Sequence, residues 1–196
     1  MTGALSLLAA RLALGLGYAS HGAQKAFGWF DGPGPQGAAK FMESLGLKPG
    51  EEYATLASFG ELTAGTLIAL GLGGPIGPAI LLSGMVVAET TVHAKNGFYA
   101  GQNGMEVGVL YSAGALAVAA SGYGELSLDH VLGWDENLRN PLFTALVLAG
   151  GIAAGYAVLG RRDTSPPDGT LATPTVAGNR ASNGAASGSK PSPAAS

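Results

Sequence analysis

Cysteine is absent from this 196-residue chain, which excludes a disulfide, a thiolate metal site or a dithiol redox centre built from its own side chains. Any redox role must borrow a cofactor or a partner. Charge is scarce as well: only 12% of the residues are Asp, Glu, Lys or Arg, the formal net charge is −3, and no basic block occurs. A phosphate backbone finds nothing to hold, so nucleic acid is excluded as a partner. No G-x-S-x-G elbow is present, and Ser20 beside His21 does not by adjacency place a hydroxyl on an imidazole, so a hydrolytic triad is not expected. The glycine-rich GLGGPIG stretch from Gly71 joins two apolar segments and follows no strand, which argues against a nucleotide fingerprint.

What remains is apolar and small: 47% hydrophobic residues and 33 glycines, the composition of a membrane protein. A helix needs about 20 residues to cross a hydrocarbon core of about 30 Å. Five apolar windows approach that length, at residues 4–27, 54–72, 76–94, 105–121 and 142–159. Glycines recur in these windows, where small residues let membrane helices approach closely. The first window lacks a basic start and runs on past Tyr18, so it is expected to be a retained helix rather than a cleaved signal.

The connections differ in character. Gly71–Pro78 is short and uncharged and reads as a tight hairpin. Residues 28–53 are longer, open with the turn-rich DGPGPQG, and contain Phe41, Met42 and Leu45 on one side of a short interfacial helix or, equally, in a solvated loop. From Arg161 the chain is rich in Ser, Pro, Gly and Ala and is expected to be disordered. If the windows alternate in direction, Lys25, Lys40, Lys48, Lys95, Arg161, Arg162, Arg180 and Lys190 share one side and only Arg11 and Arg139 approach the other. The positive-inside rule then puts the amino terminus outside and the carboxyl terminus in the cytoplasm, in a multi-pass plasma-membrane protein.

Ionisable groups inside spanning segments cost about 2.5–3.5 kcal/mol each at the centre, so each asks for a reason. His21, Glu61 and Glu89 fall at a similar depth below one surface, with Lys25, His93 and Glu106 nearer to it. His21 and Lys25 are four apart in the first window, and Glu89 and His93 four apart in the third, which predicts shared helical faces. Such a cluster could neutralise itself, hold a proton-coupled ligand, or bind a cation. With only two of the three histidines in the windows and no Glu-x-x-His pair, metal and haem are disfavoured. Arg11 lies about 15 Å from His21 and is expected to snorkel to the opposite surface.

The run RLALGLGYASHGAQKAFGWF from Arg11, SFGELTAG around Glu61, VHAKNGF around His93, NGMEVG around Glu106 and GYGELSLD from Gly122 together resemble the DoxX family of small membrane proteins, over residues 5–130. The resemblance implies an all-α four-helix transmembrane bundle over residues 1–130, in contexts of thiosulfate:quinone oxidoreductase and terminal oxidases. Residues 131–160, with a fifth transmembrane helix, and the tail 161–196 depart from that pattern. Carried over by position, the resemblance marks His21, Lys25, Glu61, His93 and Glu106, while Glu89 rests on depth alone. Three readings follow: a redox-associated subunit of an oxidoreductase complex that holds a quinone-like ligand or relays protons, a scaffold that docks soluble redox enzymes, and a small transporter. The lipid bilayer is the expected environment, with self-association into a homo-oligomer open.

Overall fold

The computed structural model describes residues 2–165, and they contain helices and turns but no strand. Met1–Thr164 form one compact unit; of a second, Ser165–Ser196, only Ser165 lies among the described residues, so the expected disorder of residues 166–196 falls outside them. Each of the five apolar windows forms a helix. They are α1 (Thr2–Phe27), α3 (Gly50–Leu70), α4 (Ile76–Ala88), α5 (Glu106–Ser121) and α8 (Pro141–Leu159). Between them lie α2 (Gly34–Ser44) and the single turns α6 (Leu128–Val131) and α7 (Asp135–Leu138).

Among the described residues three helices are long and apolar enough to cross a membrane: α1, α4 with its continuation to Asn96, and α8. Helix α3 has 21 residues but carries Glu51, Glu52 and Glu61, whereas α5 is apolar but 16 residues long, about 24 Å. The molecule is therefore an all-helical membrane protein.

Helix ends follow local chemistry. Asn140 caps α8 by accepting from the amides of Leu142 and Phe143, with Pro141 at the first helical position. Gly71 ends α3 at φ 67, a left-handed cap that favours glycine. The expected hairpin follows directly, and Pro75 precedes α4.

Helices α1 and α3 run antiparallel at the distance of their backbones. A methyl on Gly15 would strike the carbonyl of Gly65, a methyl on Gly65 the carbonyl of Gly15, and one on Gly22 the carbonyl of Ser58. Helix α8 meets α4 in the same way, through Gly151 on Ala79 and Gly155 on Ser83. Where lipid is as apolar as a leucine side chain, such close backbone packing replaces the hydrophobic effect as the force between helices. The central core gathers Tyr18, Ala64, Ile68, Leu81, Leu82 and Ala115.

One reading left open is resolved, and one expectation needs correction. Helix α2 is not a loop: it buries Ala38, Ala39 and Met42 against α3, while Phe41 stays 45% exposed and Leu45 is half-buried. Its buried side is thus set by the alanines as much as by the large residues. Arg11 does not snorkel. It is 1% exposed, donates to the carbonyls of Tyr123 (2.5 Å) and Leu126 (2.6 Å), and lies over the Tyr123 ring. Two backbone acceptors supplied by the chain itself replace the headgroups that a snorkelling arginine would seek. Beside it the buried Asp129 accepts from the amides of Gly73 and Gly74, both at 2.8 Å. Arg11 and Asp129 thereby tie the segment after α5 to α1 and to the α3–α4 hairpin.

Candidate functional site

On α1 the buried residues Arg11, Gly15, Tyr18 and Gly22 form a stripe against α3. Lys25 is three residues beyond Gly22 and continues that stripe toward Glu61 of α3. Its ammonium donates to both carboxylate oxygens of Glu61, at 2.6 and 2.5 Å, and the two side chains retain 22% and 13% exposure. His21 lies on a neighbouring stripe. Leu14 meets Gly114, Gly17 meets Tyr111, and the His21 ring stands edge-on to Tyr111 with centroids 6.0 Å apart. His21 is otherwise exposed and faces α5.

After Ala88 the α4 helix passes through a π turn, Glu89–His93, and a short 3₁₀ turn, Ala94–Asn96. An i→i+5 turn closes with about 4.4 residues, so Glu89 and His93, four apart, stay on neighbouring directions of the helix while their side chains find different partners. The Glu89 carboxylate packs on Gly108 of α5, where a Cβ would have to displace it, and both oxygens are buried without a hydrogen-bond partner among the described residues. His93 instead places Nδ1 2.9 Å from the carbonyl of Asn103 in the α4–α5 hairpin. A carbonyl only accepts, so Nδ1 carries the proton and Nε2 is the nitrogen left for other partners. Glu106 accepts from the Ala100 amide at 2.8 Å and fastens the same hairpin.

A cavity of about 540 Å³ opens between α2, α3, α4 and α8. Lys25, Glu61, His93 and Tyr18 are among its polar liners, with Tyr53, Ser83, Thr91 and Asn103. The remaining wall is mainly apolar, and the exposed liners Leu56 and Phe41 place its opening on the side of the bundle. Ala154 and Val158 of α8 close one wall. Past the end of α8 the chain straps down: Arg162 donates through Nε to the carbonyl of Leu45 (2.7 Å), and the Asp163 amide donates to that of Gly46 (2.8 Å). Structure therefore continues beyond Arg161, where disorder was expected to begin.

Of the six residues marked by sequence, Lys25, Glu61 and His93 line this cavity, whereas His21, Glu89 and Glu106 lie elsewhere. Tyr18 was missed. It is 2% exposed, its hydroxyl occupies the space left by Gly84, and its ring lies 5.5 Å from Tyr111. The available signal was its position seven residues before Lys25, on the same helical face. Among the described residues no three or more His, Asp or Glu side chains converge into a metal site.

Fold and cavity together define a helical membrane protein with a side-opening, mostly apolar pocket that has the Lys25–Glu61 ion pair in its wall. Residues 6–94 match the DoxX family model, so the chain carries a DoxX domain over α1 to the π turn. That segment holds Lys25, Glu61 and His93, whereas α5 and α8 lie beyond it. No curated protein and no solved structure matched the chain.

Proposed function

We propose that this protein is a redox-associated membrane subunit that holds a quinone-like ligand in the cavity between α2, α3, α4 and α8. The observation that carries the reading is the Lys25–Glu61 ion pair in the wall of a 540 Å³ apolar cavity that opens sideways. The apolar lining confers no preference over the bilayer, since a prenyl tail gains little on leaving lipid for a side-chain wall of equal polarity. Selectivity must come from hydrogen bonds. The Lys25 ammonium and the Tyr18 hydroxyl are donors, and the His93 Nε2 accepts when neutral and donates when protonated. Those groups fit the carbonyl or hydroxyl oxygens of a quinone-like head group. A bound quinone would supply the capacity to take up two electrons and two protons. Glu61 holds the Lys25 ammonium in place, and Asn103 fixes the His93 tautomer.

In this reading α3 and α5 join the three long apolar helices as spans, giving five crossings with the lysine-rich side in the cytoplasm and the amino terminus outside the plasma membrane. Soluble redox enzymes would dock on that lysine-rich side. Native mass spectrometry of the purified protein, with an optical spectrum, tests the ligand. A mass increment matching an isoprenoid quinone supports the reading, and its disappearance in Ala57→Trp, which fills the cavity, locates it. A wild-type protein carrying only phospholipid contradicts it.

A further inference from the structure

A second cavity, of about 280 Å³, lies on the other side of Lys25, between α1, α2 and α3. Lys25 lines both cavities, and Glu61 only the larger. The two differ in chemistry. The smaller has exposed Gln36, Glu51 and Thr55 on its outer wall and the buried Ser58 farther in, with Ala54 and Phe59 among its apolar liners. The Ser58 hydroxyl donates to the Ala54 carbonyl, which leaves its oxygen free to accept from water. Water needs room and two to four polar partners, and this space offers both.

From this geometry we infer that the smaller cavity is a hydrated vestibule that leads from the helix ends near Glu51 to Lys25 and replaces protons used in the larger cavity. The inference rests on the ligand reading above for the use of the proton, but not for the hydration itself. The step moves a proton only. Electrons reach the quinone from a docked soluble redox enzyme; one proton then leaves the Lys25 ammonium for the anionic quinone oxygen, and one arrives at the amine through vestibule water from bulk solvent. Glu61 pairs with the lysine side chain and keeps it in place. A lysine with water on one side and a ligand on the other is a one-residue partition, which accounts for a Lys25 side chain that lines both cavities.

The absence of cysteine makes the test clean. Single-cysteine variants Thr55→Cys and Ser58→Cys, with Leu110→Cys on the exposed face of α5 as the lipid control, are placed in nanodiscs and treated with a charged methanethiosulfonate. Thiolate is the reactive form and needs water, so the thiols of Thr55→Cys and Ser58→Cys should react about tenfold faster than that of Leu110→Cys, or more. Thr55 is exposed, so its variant keeps the measurement alive if Ser58→Cys fails to fold. The hydrogen-exchange rate of the Lys25 ammonium, read with ¹⁵N-lysine and assigned by Lys25→Arg, should fall when the Ser58→Cys thiol, or the Thr55→Cys thiol in its place, is modified. Labelling as slow as that of Leu110→Cys overturns the vestibule, and an unchanged exchange rate overturns proton resupply. Quinone content of the same samples separates the two readings. Labelled vestibules without quinone retain the hydration and reject the ligand, and bound quinone with unlabelled vestibules does the reverse.

Discussion

At the scale of single residues, the ion pair and the buried unpaired carboxylate make opposite demands. Removing Lys25 alone leaves the Glu61 carboxylate in a mostly apolar wall, and loss of one partner of a buried pair costs about 3–5 kcal/mol. The 22% and 13% residual exposure argues for the lower end of that range. Lys25→Ala and Glu61→Ala should each lower the thermal midpoint in detergent, whereas the double variant should recover most of the loss in a double-mutant cycle. Purely additive losses would mean that the pair contributes no coupling. Glu89 has no such partner among the described residues, and a methyl on Gly108 would displace its carboxylate. Gly108→Ala should therefore destabilise by roughly 1–3 kcal/mol through overpacking, and Glu89→Ala in the same chain should relieve it. No relief would show that Gly108 matters for some other contact. Lys25, Glu61 and His93 were legible as ionisable residues in apolar windows. Their partners were not, because a side chain's direction depends on the helical stripe that carries it. His21 and Lys25, four apart, fall on stripes that face α5 and α3.

At the scale of elements, composition does not mark every change of helix type. The run ETTVH follows α4 directly, and nothing in its composition announces that it winds as a π turn. The five helices themselves were legible because long apolar windows bounded by Gly, Pro and Asn leave few alternatives. Arg11 was misread because a snorkelling arginine and a clamping one look alike until the segment after α5 supplies two carbonyls. Arg11→Met should loosen residues 122–140, at a cost of roughly 3 kcal/mol for two charge-assisted bonds, seen as faster proteolysis in that segment. Arg11→Lys should recover little, since one ammonium lacks the fork that reaches both carbonyls. In the same segment the His130 ring hydrogen bond, 2.9 Å from Asp135, holds that carboxyl below its ordinary value. A lowered carboxyl stabilises the α6–α7 turn above the unfolded midpoint of about 3.9, and the contribution is lost as pH falls through the lowered value. Carbon NMR should show the Asp135 midpoint rise toward the ordinary range in His130→Ala; an unchanged midpoint would rule out the bond as the cause.

At the scale of the molecule, the part beyond the DoxX domain completes the cavity. Helix α8 contributes Ala154 and Val158 to the wall, and Arg162 and Asp163 fasten its end to the carbonyls of Leu45 and Gly46 in the α2–α3 connection, with Lys48 3.4 Å from the Asp163 carboxylate. Fastening through backbone carbonyls leaves little for a sequence pattern to reveal, which is why the tail was expected to begin already at Arg161. The central claim is that the polar wall of this cavity holds a quinone-like head group while the bilayer alone accounts for the tail. The most direct measurement is the quinone content per mole of purified wild-type protein, Glu61→Ala and His93→Ala, each shown to be folded by its helical circular dichroism. The claim predicts quinone in the wild type and its loss in both variants; equal quinone in all three, or none in the wild type, would contradict it.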